Sequence, residues 1–141
     1  MRRLALILLL VPALAGCTQP GSSSTAEFKG DERDVADAIS DFSSSASRKE
    51  ASKACSESLS VALAKKVALG GKSCSDELKK AFDDTDLQTI DIDDVTIDEP
   101  QHATAKVSSS SGNDDFQSTF TMVDEDGDWR IDSFGTASQK R

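Results

Sequence analysis

The sequence predicts an α+β domain in which N-terminal helices pack on an antiparallel sheet of three to four strands. Three observations carry this. Apolar residues recur with helical spacing up to about Phe82, and they alternate with strand period from Leu87 onward. The chain then closes on a hairpin pattern, with Phe116, Phe120 and Met122 on one arm and Trp129 and Ile131 on the other.

The first helix is expected to start at an Asp31 N-cap, with Asp34 in its acidic first turn. Val35, Ile39, Phe42 and Ala46 recur at i, i+4, i+7 and i+11 and form one apolar stripe. Ser47-Arg48-Lys49-Glu50 reads as a capping box that opens a second helix carrying Ala51, Ala54 and Cys55. Val61 to Leu69 reads as a third helix, stopped by Gly70-Gly71. Ser75-Asp76-Glu77-Leu78 starts a short fourth helix that buries Leu78, Ala81 and Phe82.

In the first strand Ile90 and Ile92 share one parity, while Val95 and Ile97 share the other. An extra residue at Asp93-Asp94 would bring all four to one face, so a β-bulge is expected there. Asp98-Glu99-Pro100-Gln101 is a turn, since proline is barred from a central strand position. Ala103, Ala105 and Val107 alternate next, and Ser108 to Asp115 reads as a polar loop. A four-residue turn, Asp124-Glu125-Asp126-Gly127, would set Met122 opposite Trp129 and Phe120 opposite Ile131. Gly127 would supply the positive φ of that turn.

A chain of 141 residues allows one small domain. Its 16 basic and 25 acidic residues give a formal charge of −9, which argues against nucleic acid as a partner, because little here could neutralise phosphates. The N-terminus is an address: Met1-Arg2-Arg3 precedes an apolar run, Leu4 to Val11, and then Pro12-Ala13-Leu14-Ala15-Gly16-Cys17. The run falls short of the roughly 20 residues a membrane span needs, so it reads as an export signal. Leu14-Ala15-Gly16-Cys17 resembles the bacterial lipobox. That resemblance implies lipidation of the Cys17 thiol and cleavage after Gly16; ordinary signal cleavage after Ala13-Leu14-Ala15 is the alternative. Cleavage at Cys17 removes two Arg and no acid, leaving 14 basic against 25 acidic residues and a charge of −11. Anionic headgroups would repel such a domain, so two or three acyl chains, not charge, would hold it at the extracytoplasmic face of the cell membrane. Residues 1–16 are then the signal peptide, 17–30 the lipidated Cys and polar tether, 31–135 the domain and 136–141 a polar tail.

With Cys17 assigned to lipid, Cys55 and Cys74 remain in an oxidising compartment and are expected to form a disulfide. Two Cys and one distant His fall short of a four-ligand metal site, and no cofactor is expected. Asp124-x-Asp126-x-Asp128 opens like a calcium loop, but Trp129 stands where glycine is needed and no Glu occupies the twelfth position. His102 sits at a strand start beside Pro100 and reads as exposed; no catalytic constellation, phosphate loop or nucleophile elbow is visible.

Helices followed by a sheet ending in Val123-Asp-Glu-Asp-Gly-Asp-Trp-Arg-Ile-Asp-Ser-Phe-Gly135 resemble the nuclear transport factor 2-like superfamily, a cystatin-like α+β roll. The likeness is to small exported actinobacterial lipoproteins with one Cys in the second helix and another just before the fourth. It implies a curved sheet folded as a cone-shaped roll, with a cavity that some members use for catalysis and others for binding. The absence of Tyr counts against isomerase-like chemistry of this fold. The function expected is a non-catalytic interaction or binding module for an envelope partner. The alternative is a carrier or sensor of a small apolar ligand, with Phe42, Phe82, Phe116 and Phe120 as candidate cavity lining. An enzyme using His102 or a cone carboxylate ranks last.

Overall fold

A computed structural model describes residues 25–85, 89–111 and 114–139. Cys17, the expected signal segment and most of the expected tether lie outside them. The fold is α+β, with four helices on one face of an open antiparallel sheet that does not close into a barrel. Helix α1 spans Asp31–Ser47; α2 spans Ala51–Lys53 and runs on as a π-helical turn, Ala54–Ser58. Helices α3 (Val61–Val67) and α4 (Cys74–Asp84) follow. Strands β1 (Ile90–Glu99), β2 (His102–Ser111), β3 (Asp114–Glu125) and β4 (Asp128–Phe134) form a meander, and β5 (Ser138–Gln139) returns to pair with β3.

The stripe on α1 is buried as its spacing requires: Val35, Ile39, Phe42 and Ala46 all sit in the core. They face Val95, Ala103, Ala105, Val107, Phe120, Met122 and Ile131 from the sheet. Small residues at 103 and 105 leave room for the helix, so α1 can lie close to the strands.

Two helix ends depart from expectation. Gly30, not Asp31, is the N-cap of α1, and Asp31 is its first helical residue. Ser47 does not open α2; it closes α1, with its hydroxyl donating to Ser44 O at 2.9 Å. Lys49 takes a left-handed φ of 58°, Glu50 N–H bonds Ser45 O, and Lys49 N–H bonds Ala46 O. This is a Schellman C-cap, and it wins over the capping box because it satisfies carbonyls already orphaned by the helix end. Ala81 on α4 is exposed, whereas Leu78 and Phe82 are buried as expected.

The expected bulge is present: Ile92 pairs Val107 and Asp94 pairs Lys106, leaving Asp93 as the extra residue. Ile90 and Val95 are buried, and Ile92 and Ile97 pack against the core from the same face. The stretch read as a polar loop is mostly strand, with Ser108 to Ser111 pairing with Gln117 to Asp114.

The closing hairpin has the expected face but not the expected register. Glu125 pairs Asp128, Asp124 pairs Trp129 and Met122 pairs Ile131, so the turn contains two residues, Asp126 and Gly127. Their φ values of 60° and 93° fit a type I′ turn, whose twist matches that of the strands it joins. The Asp124 carboxylate accepts from Gly127 N–H at 2.7 Å and braces the turn. A two-residue slip preserves side-chain parity, so Trp129 and Ile131 still face the core.

Candidate functional site

At one end of the helix–sheet interface lies an apolar cleft of about 270 Å³. Phe42 reaches it from α1, Leu78 and Phe82 from α4, and Ile90, Val107, Phe120 and Phe134 from the four long strands. Thr85, Ser109 and Ser118 supply its polar side-chain atoms, and no ionisable side chain among the described residues lines it. The aromatic rings form a connected set: Phe42–Phe82 centroids lie 6.1 Å apart, Phe42–Phe134 5.4 Å and Phe120–Phe134 5.1 Å. The outer two pairs meet edge to face, an arrangement that fixes ring orientation as well as burying area.

Three of the four expected Phe residues therefore meet here. Phe116 does not; it is half-buried, four residues along β3 from Phe120, opposite Ser109 and Gln139. That displacement is about 13 Å along the strand.

Phe134 takes its place, although its even number sets it against the odd parity of Trp129 and Ile131. The cause is a further bulge, in β4. Met122 pairs Ile131 and Thr121 pairs Ser133, so Asp132 is the extra residue and every later side chain on β4 is turned over. Phe134 remains 39% exposed, a large aromatic at the edge of the cleft. Immediately after it, Gly135 donates its N–H to Thr119 O at 2.8 Å. A Cβ on Gly135 would lie 2.4 Å from that same oxygen, so only glycine lets the chain pass this close to β3. The crossing brings Ala137 to the cleft and sets β5 against Phe116 and Gln117.

The bulge at Asp132 also anchors the helices. Ser60, the N-cap of α3, accepts from Leu63 N–H at 2.9 Å and donates to Asp132 Oδ1 at 2.7 Å. Ser60 N–H bonds Ile131 O, and the Glu125 carboxylate accepts from Val61 N–H at 3.1 Å. Arg130 donates to Ser56 O at 2.6 Å and lies 3.7 Å from Glu125. These contacts hold the α2–α3 junction on β4.

Cys55 and Cys74 are disulfide-bonded, joining the π-helical turn to the start of α4. The bond fixes the base of α4, the helix that carries Leu78 and Phe82 into the cleft. Asp83 on α4 accepts from Lys79 at 2.9 Å and lies 3.1 Å from Lys49, and these hydrogen bonds, Lys79's first, hold its carboxyl below the usual range.

His102 is exposed at the start of β2, between Glu99 and Val123, and its side chain makes no hydrogen bond or ion pair among the described residues. No three His, Cys, Asp or Glu side chains among the described residues converge as a metal site would need. No helix among them is long and apolar enough to cross a membrane.

No protein-family model matches this chain, and no curated protein matches it in sequence.

Proposed function

We propose that this protein is a membrane-anchored, extracytoplasmic bacterial lipoprotein, held by lipid on Cys17, whose domain binds a small apolar group and does not catalyse. The observation that carries the reading is the Phe-lined cleft, apolar throughout except for three hydroxyl-bearing side chains. Of the two binding functions read from the sequence, it favours the carrier or sensor over the bare protein-interaction module. Burying an uncharged group there needs no compensating charge, and it removes apolar surface, Phe134 included, from water. The volume is just under the roughly 300 Å³ at which drug-sized ligand sites begin, which suits one ring system or a short aliphatic chain. The described lining offers hydroxyls but no acid, base or thiol, which supports binding over chemistry.

We place the chain with the nuclear transport factor 2-like proteins as part of this proposal. The order of elements and the Cys55–Cys74 bond support that placement.

The cleft is tested with a chain starting at Thr25, which keeps every buried core residue among those described. Titration with N-phenyl-1-naphthylamine, an uncharged probe that brightens in apolar sites, should saturate at one probe per chain. Phe134→Asp should abolish the rise. Equal emission from both forms would refute an apolar site. The anchor is tested by detergent partitioning of the full chain against Cys17→Ala; identical soluble behaviour of both would refute lipidation.

A further inference from the structure

A second and larger cleft, about 550 Å³, lies between α1, the π-helical turn and the β3–β4 hairpin. Its α1 wall carries Asp34, Asp37 and Asp41, spaced i, i+3 and i+7, so the three carboxylates run about 10 Å along one helix face. The members of each neighbouring pair repel one another at spacings that weaken a helix. Asp37 is offset by Arg33 at 3.7 Å, but Asp34 and Asp41 make no side-chain hydrogen bond or ion pair among the described residues. Glu57 and Asp128 add to the negative lining, against Lys53 and an Arg130 already committed to Ser56 O and Glu125.

Two further residues line this space and carry polar groups with unmet capacity. Ser58 lines the cleft and is only 4% exposed, yet its hydroxyl makes no hydrogen bond among the described residues. Among the described residues no sealed side-chain polar atom lacks a partner, so the unpaired Ser58 Oγ keeps an opening, and Ser58 lines this cleft. Trp129, 8% exposed, forms another part of the wall, and its indole N–H is likewise unpaired among the described residues.

The carboxylates do not converge on a point as a metal ion would require. Charge spread along a line, beside an aromatic wall and a buried hydroxyl, suits a ligand whose positive charges are also spread along a line. We propose that this cleft binds a linear cation bearing two or more primary ammonium groups, each carried on a short methylene chain. Its ammonium groups meet Asp34 and Asp41, one of their N–H groups donates to Ser58 Oγ, and the methylenes and a neighbouring charge lie against Trp129. Free polyamines and lysine-rich peptides both present this chemistry.

Trp129 is the single Trp of the chain, so its emission reports occupancy directly. The full chain in nonionic detergent at low salt is titrated with spermidine and, separately, with a C-amidated trilysine peptide. A saturable emission change at one cation per chain is expected, and whichever cation binds more tightly identifies the source. Asp34→Asn/Asp41→Asn should weaken binding about tenfold or more. Asp93→Asn/Asp94→Asn, which removes the same charge from β1, should leave it nearly unchanged. The absence of a saturable change with either cation would overturn the proposal, as would equal weakening by both double variants. If Asp34→Asn/Asp41→Asn does not fold, Ser58→Ala decides instead: several-fold weaker binding supports the site, and unchanged affinity refutes it.

Discussion

Ser60 and Asp132, 72 positions apart in sequence, are joined by a hydrogen bond of 2.7 Å from the Ser60 hydroxyl to Asp132 Oδ1. The same hydroxyl caps α3 through Leu63 N–H, so one oxygen ties a helix start to a strand bulge. Ser60→Ala removes both bonds in a buried setting and should lower stability by about 1–3 kcal/mol in urea denaturation. Ser60→Thr, which keeps the hydroxyl, should retain more of it.

Trp129 meets the core from the hairpin, packed on the same face as Ile131. Trp129→Ala should cost about 3–5 kcal/mol, as large-to-small core changes do. Native emission should be blue-shifted and move red on unfolding; native emission already at the position of free Trp would place the indole in water.

Part of this was legible in the sequence, and the reasons for the rest are specific. Parity exposed the Asp93 bulge, because four aliphatic residues can share a face only if one residue is extra. Parity could not choose between the four-residue and two-residue hairpin turns, since both put Trp129 inside; the left-handed pair Asp126-Gly127 decides it. Ser108 to Ser111 looked like loop because the strand there is polar, and its pairing with Asp114 to Gln117 is a backbone matter. The cleft was half legible. Phe42, Phe82 and Phe120 lie on recognisable apolar faces, but Phe134 joins them only through the Asp132 bulge, which no hydrophobic pattern announces. The acidic cleft depends on α1 meeting the β3–β4 hairpin, a juxtaposition that spacing within α1 cannot reveal.

Breaking the Cys55–Cys74 bond should lower stability by about 2–4 kcal/mol, measured by denaturation of Cys55→Ser/Cys74→Ser against the parent. Because the bond holds the start of α4, the same variant should also bind the apolar probe less tightly.

Gly135→Ala places a methyl carbon 2.4 Å from Thr119 O, so β3 and the crossing chain must separate. A loss of about 1–3 kcal/mol is expected from such overpacking, with faster exchange of the amide at position 135, which donates to Thr119 O.

Asp83 is held charged by hydrogen bonds from Lys79 and then Lys49, which lower its folded pKa. Its contribution to stability is therefore present above the unfolded carboxylate pKa and lost as pH falls through the lower, folded value. In an NMR titration its carboxyl carbon should turn over at lower pH than that of an unpaired Asp. Lys79→Ala should move the midpoint upward, and an unmoved midpoint would count against the pair.

The proposed binding function of the Phe-lined cleft is tested most directly by native mass spectrometry of the full chain extracted with detergent from the cells that make it. The expected spectrum shows one uncharged apolar molecule retained per wild-type chain and none retained by Phe134→Asp. A bare mass for both forms, or the same adduct on both, would contradict an apolar ligand in this cleft.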